Sequence, residues 1–225
     1  ILDFQPGDIS PLLLEHGLAP LPPYILKARA ASRTAREEHD RRADLERYQT
    51  VYAAQEGSIA APTAGLHFTP GLLASLKEAG VLAAELVLHV GPGTFRPILG
   101  EDVGAHRMLP ERYELGPEAA RAVSEARRLG RRVLAVGTTC SRTLETLAAE
   151  GIPLPAGAGE TSLFIHPGHR FLCVDALITN FHLPKSTPLL LACAFAGRER
   201  LLSAYREAVE KGYRLFSYGD SMLIL

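Results

Sequence analysis

The segment Asn180-Phe181-His182-Leu183-Pro184-Lys185-Ser186-Thr187 interrupts two strongly apolar runs with an amide, an imidazole, an ammonium and two hydroxyls. Buried polar groups cost free energy unless each finds a hydrogen bond, so the insert is either a turn between two buried elements or one wall of a site. Four other stretches have the same character. In Pro62-Thr63-Ala64-Gly65, small residues let a ligand approach the backbone, and His67 follows with an imidazole able to move a proton near neutral pH. His89 precedes Gly91-Pro92-Gly93-Thr94-Phe95, where two glycines permit a sharp turn with open amides and Phe95 offers a flat face to a base. Gly137-Thr138-Thr139-Cys140-Ser141-Arg142 follows a strand-like run. A helix starting there would favour anions through its free amides and dipole, with Arg142 offering a two-pronged contact to a carboxylate. Tyr218-Gly219-Asp220 makes a short turn bearing a carboxylate. Each stretch also has a plainer reading: a structural histidine, a threonine N-cap with Glu145 pairing locally, or a turn-forming aspartate. Cys140 is a further nucleophile candidate, since helix starts lower thiol pKa values, but no particular histidine is tied to it.

Ligands of open α/β sheets collect beyond the carboxyl ends of the strands, so the elements must carry these stretches to one edge. Strand patterns cover 81–90, 132–137, 161–166, 171–179 and the tail after 213. Helical patterns cover 70–80, opened by Thr69-Pro70 and closed by Gly80, then 116–130, 141–151, 187–196 and 199–211. In 116–130 the inward face is Ala119, Ala122, Val123 and Ala126, with Arg121, Glu125 and Arg128 opposite. This alternation predicts an α/β fold: a mixed sheet with helices on both faces, Rossmann-like. Ahead of it, a short helix is expected near 9–16, and extended backbone and a domain edge at the prolines of 20–23. The charge-rich span 27–47 reads as a solvated helix or loop, or as a contact to an RNA backbone.

The 225-residue chain is 47% hydrophobic, enough for a sizeable core, and its net charge of -1 excludes a surface that is basic throughout. Three cysteines in apolar surroundings indicate neither a disulfide framework nor a zinc site. No apolar run has the length of a membrane span, and a cytoplasmic location is the expectation. The glycine fingerprint of dinucleotide binding is not completed, which disfavours a nicotinamide or flavin enzyme.

Together, "GSIAAPTAGLHF", "LHVGPGTFRPI", "VLAVGTTCSRTLE", "VDALITNFHLPKSTPLLLACAFAG" and "YRLFSYGDSMLI" resemble the S-adenosylmethionine:tRNA ribosyltransferase-isomerase family of queuosine biosynthesis, in the family's order. The resemblance covers nearly all of 18–225 and departs at Cys140, where the family commonly has serine, and at Leu109, where it often has a second histidine. It implies transfer and isomerisation of the ribosyl part of S-adenosylmethionine onto 7-aminomethyl-7-deazaguanine at the wobble position of tRNA. Adenine and methionine would be released, and no metal or further cofactor would be needed because S-adenosylmethionine is consumed. His67, His89, His182 and Asp220 would then supply acid and base. Substrate would be bound by Pro62, Thr63, Ala64, Gly65, Gly91, Gly93, Thr94 and Phe95, by Thr138, Thr139 and Arg142, and by Asn180, Phe181, Lys185, Ser186, Thr187, Tyr218 and Gly219. The family's architecture implies that 1–24 is the end of an inserted β-barrel domain and 25–225 the α/β catalytic domain, most of the barrel lying outside this chain. A monomer is expected. Rival readings are an S-adenosylmethionine-dependent RNA methyltransferase and a non-catalytic tRNA-binding module.

Overall fold

A computed structural model describes residues 9–32, 43–91, 93, 98 and 102–225. Two compact units divide the chain, one within Ile1–Gln49 and one spanning Thr50–Leu225. In the first, α1 (Ser10–His16) and α2 (Pro23–Ser32) are helical. The second of the paired prolines opens α2 where extended backbone was expected, because its fixed φ suits a first helical turn. Arg29 Nη2 donates to Asp44 Oδ1 at 2.7 Å, so part of the charge-rich span is engaged in an ion pair.

The second unit runs, in chain order, through a 3-10 turn (Thr63–His67), α3 (Pro70–Glu78), β1 (Val87–His89), a second 3-10 turn (Val103–Ala105), β2 (Glu111–Leu115), α4 (Pro117–Arg128), β3 (Leu134–Val136), α5 (Thr138–Glu150), β4 (Gly157–Thr161), β5 (Ala176–Asn180), α6 (Thr187–Ala196), α7 (Arg198–Glu210) and β6 (Ser221–Ile224). This is a mixed α/β fold. Among the described residues its strands form two three-stranded sheets, where one mixed sheet was expected. In one, β2 lies between β1 and β4, all antiparallel. In the other, β5 lies between β3, which is parallel to it, and β6, which is antiparallel. The larger core cluster joins both sheets, with Tyr113 and Leu115 of β2, Ala135 of β3 and Leu177 of β5 buried with Leu144, Ile165 and Leu191. The leucines and Ile165 among them contribute roughly 1.5–3 kcal/mol each when fully buried.

The helices follow the sequence pattern. Thr69 caps α3 by accepting from the Leu72 amide at 3.1 Å, and Gly80 beyond its end takes φ 78°. Strand limits differ from expectation. The strand expected at 161–166 is β4, ending at Thr161, because its partner is β2: Gly159 faces Tyr113 so closely that a Cβ would lie 2.5 Å from the phenol oxygen. The strand expected from 171 starts at Ala176, because the amides of 172–174 are taken by a helix side chain described below. Among the described residues no helix is long and apolar enough to cross a membrane, and no group of three or more His, Cys, Asp or Glu side chains could hold a metal.

Candidate active site

Strand β5 ends in Thr179 and Asn180, whose side chains point to opposite faces because strand residues alternate. Each meets an imidazole. Thr179 Oγ1 lies 2.6 Å from His182 Nε2, and Asn180 Nδ2 lies 3.2 Å from His67 Nε2. The Tyr205 hydroxyl accepts from the His182 amide at 2.7 Å, holding the chain where it leaves the strand. Asn180 Nδ2 also donates to the Phe216 carbonyl at 3.2 Å, and the Phe216 amide donates to the Phe181 carbonyl at 3.0 Å. On the other side of β5, the Gly137 amide donates to the Ile178 carbonyl at 2.8 Å, bringing the start of α5 to the same edge. Gly137 adopts φ 94°, and a Cβ there would be 3.9 Å from that of Ala64 in the Thr63–His67 turn. The stretches around residues 62–67, 137–142, 180–187 and 216–220 therefore converge.

The remaining stretch joins only in part. His89 belongs to the other sheet, its ring against Gly57, and among the described residues no hydrogen bond joins it to His67 or His182. Gly91 is half-buried and Gly93 packs on Leu109, while Thr94 and Phe95 lie outside the described residues. The loop nevertheless reaches the polar insert, because the Ile98 amide donates to the Lys185 carbonyl at 2.9 Å. Lys185 itself is exposed, with φ 57°.

Burial dominates the electrostatics. It pushes the His182 imidazole down to about 4 from the usual 6.5. It also lowers His67, although the Asp220 carboxylate pulls that ring the other way. The folded protein thus keeps His182 deprotonated down to about 4, whereas the unfolded chain takes up the proton near 6.5. Between those values the unfolded state binds more protons. Stability is therefore full above the higher value and falls by about 3 kcal/mol as pH drops to the lower one. Urea midpoints measured across this window should decline with pH, and His182→Asn should remove most of that slope; a flat profile in the parent protein would contradict the assignment.

Helix α5 starts with Gly137 as N-cap and no side-chain cap hydrogen bond, so the plainer reading of a threonine N-cap does not hold. Thr138 and Thr139 instead line a shallow recess with Arg142, Met108, Phe164 and Thr187. Uncapped amides at a helix start beside a guanidinium suit an anion. Arg142 is not wholly available for a substrate carboxylate, because its Nη2 donates to Glu111 Oε2 at 2.7 Å in an almost fully buried pair. Its Nε is buried without a partner among the described residues, as is Asn180 Oδ1. Glu145 does not pair locally: its carboxylate accepts from the amides of Leu172, Cys173 and Val174 at 2.7–2.9 Å.

Several assignments made from residue type change with the geometry. Phe181 is 3% exposed and packs edge-on against Tyr205 and Tyr213, so its ring belongs to the core. Ser186 caps α6, accepting from the Leu189 amide and donating to the Leu183 carbonyl. Gly219 is required by a tight turn, since a Cβ would meet the Arg214 carbonyl oxygen at 2.3 Å. Asp220 closes that turn by accepting from the Arg214 amide at 2.8 Å, while Tyr218 is half-buried beside it. Burial raises the Cys140 thiol to about 11, which removes it as a nucleophile at neutral pH. Pro62 is exposed, and its carbonyl accepts from the Gly65 amide at 2.7 Å; Gly65 is packed under Tyr52. Thr179, Tyr205 and Glu111 were not singled out as site residues, because nothing but the strand register and the tertiary fold brings them there.

The sequence model of a family described as "Queuosine biosynthesis protein" matches residues 1–224. The chain belongs to that family. Among other queuosine biosynthesis proteins, it is 54% identical to the S-adenosylmethionine:tRNA ribosyltransferase-isomerase of Heliobacterium modesticaldum over 97% of this chain and 61% of that protein. It is equally identical to the enzyme of the same name from Anaeromyxobacter dehalogenans, over 100% of this chain and 61% of the relative. The chain thus spans about three fifths of the length of these relatives. The crystal structure of S-adenosylmethionine tRNA ribosyltransferase from Thermotoga maritima superposes with a TM-score of 0.59 at 49% identity, covering 72% of this chain and 51% of that one.

Proposed function

We propose that this chain carries part of an S-adenosylmethionine:tRNA ribosyltransferase-isomerase acting on 7-aminomethyl-7-deazaguanine at the wobble position of tRNA. The observation that carries the reading is the 54% identity, spread over almost the whole chain, to relatives bearing that name. The convergence of polar residues at the end of β5 supports it. The reaction needs a base for the weakly acidic proton beside the sulfonium, and a donor to assist adenine as it leaves. Neutral His182 suits the first role, and His67 and Asp220 stand near the same edge. The start of α5 with Arg142 suits the methionine carboxylate. No metal or further cofactor is called for. In this reading the α/β unit is a Rossmann-like catalytic domain of a monomeric, cytoplasmic enzyme, and 1–24 is the end of an inserted β-barrel domain.

The test is to incubate the intact protein with substrate tRNA and S-adenosylmethionine and identify the small products. Free adenine and methionine are expected. S-adenosylhomocysteine would indicate a methyltransferase, and unconsumed S-adenosylmethionine with bound tRNA a binding module. For the tRNA backbone, Lys185 and the basic residues of 27–47 are the proposed contacts. Arg41 and Arg42, which lie outside the described residues, give the sharpest check. Reversing both charges should weaken tRNA binding and flatten its dependence on salt; affinity unchanged across several salt concentrations would make that span a solvated spacer.

A further inference from the structure

The side chain of Asn180 is 2% exposed, and its contacts specify more than position. The Phe216 carbonyl can only accept, so the amide must turn its nitrogen, not its oxygen, toward that side. That carbonyl is itself held in place, because the Phe216 amide is bonded to the Phe181 carbonyl and the residue sits at φ 73°. The same Asn180 nitrogen faces His67 Nε2 at 3.2 Å. An amide NH2 has two protons to give and nothing to accept with. One proton goes to Phe216, and the other makes a hydrogen bond to His67 only if Nε2 carries a lone pair. A neutral imidazole with a bare Nε2 has its one proton on Nδ1. The imidazolium, or the Nε2–H tautomer, would set N–H against N–H at the buried Asn180 side chain.

Among the described residues, the charge that faces this ring is the Asp220 carboxylate, which favours the cation, and Asp220 is partly occupied by the amide and guanidinium of Arg214. Desolvation works against the cation, in the same direction as the amide contact.

We propose that Asn180 is a positioning residue that locks His67 as the neutral tautomer protonated on Nδ1, so that the ring meets substrate as a hydrogen-bond donor and not as a base through Nε2. Only the clause about substrate rests on the proposed transferase reading; the position of the proton is a property of the free protein. A neutral imidazole donating from a partly buried position stabilises charge developing on a leaving group or oxygen without itself losing a proton. The assignment takes Nε2 of His67 out of the set of bases and separates its role from that of His182, whose Nε2 meets a hydroxyl able to donate or accept.

The experiment is nuclear magnetic resonance of the purified protein carrying 15N-labelled histidine, with ring nitrogens correlated to ring protons and His67 assigned from a His67→Gln spectrum. At neutral pH, His67 should show an unprotonated Nε2 and a protonated Nδ1. Asn180→Asp places a charged acceptor against Nε2. It should move the proton there and raise the titration midpoint of the ring by about one to three pH units. The same variant should lower kcat for adenine release with the KM for S-adenosylmethionine nearly kept. An Nε2–H tautomer or a doubly protonated ring in the parent protein at neutral pH overturns the proposal, as does an Asn180→Asp spectrum with the parent pattern. If Asn180→Asp does not fold, the parent spectrum alone decides. Failure of the intact protein to release adenine would sink the transferase reading and leave the ring pattern untouched, so the two failures are distinguishable.

Discussion

In the proposed transferase reaction, His182→Asn is expected to cut single-turnover adenine release by about 10²- to 10⁴-fold, the usual contribution of a positioned acid–base group, while S-adenosylmethionine still binds. The imidazole is neutral at working pH because burial holds it down to about 4, so it has a lone pair to accept a proton. It is also placed: Thr179 holds Nε2 at 2.6 Å, and Tyr205 fixes the backbone. Asparagine is close in size and keeps a polar group near Thr179 but cannot take a proton. Thr179→Val, which removes only the orienting hydroxyl, should fall between the parent and His182→Asn and should alter the pH profile. Unchanged release by His182→Asn, with adenine followed by chromatography, would end the assignment of the base to this ring.

Glu145→Ala is expected to cost about 2 kcal/mol or more of stability, because the buried amides of Cys173 and Val174 and the part-buried amide of Leu172 would lose their acceptor, at roughly 1–3 kcal/mol for each buried amide and less than additively. The Glu145 side chain is fully buried, and His169 Nε2 lies 3.6 Å from Oε2. The carboxylate serves the amides of Leu172, Cys173 and Val174, which form no strand because they are turned toward it. Glu145→Gln should retain part of this, since its one oxygen can still accept while its NH2 group opposes the remaining amide. Urea unfolding at neutral pH should rank parent, Gln and Ala in that order. A loss below about 1 kcal/mol in Glu145→Ala would show that water or relaxed backbone replaces the carboxylate.

Helices were legible where local signals sufficed. Thr69-Pro70 and Gly80 delimit α3 because capping and left-handed backbone are decided within a few residues. Strands were legible in existence and less so in extent, since their ends depend on partners far along the chain. Glu145 stops β5 from beginning earlier, and Tyr113 selects Gly159 as its neighbour. The same distinction holds at the site. Four of the five polar stretches do meet at one edge, as strand–turn–helix logic implies, and the family resemblance supplied their order. Which atom meets which could not be read. Thr179 and Asn180 are adjacent in sequence yet serve different rings, a consequence of alternation that appears only once the strand register is known. Phe181 and Arg142 were read from residue type, which is silent on burial: one is core and the other is already paired with Glu111.

The backbone of Phe216 gives this edge a collective behaviour. One peptide unit on each side of that residue is bonded to the end of β5, the amide to the Phe181 carbonyl and the carbonyl to the Asn180 side chain. The Gly137 amide is tied to the Ile178 carbonyl two residues before Asn180. A fluctuation that frees the turn before β6 would break both Phe216 bonds and release the Asn180 amide, so the edge is expected to open as a cooperative unit and not ring by ring. In hydrogen exchange the Phe216 and Gly137 amides should share one opening free energy. A nucleoside bound at either end of the edge would slow exchange at both.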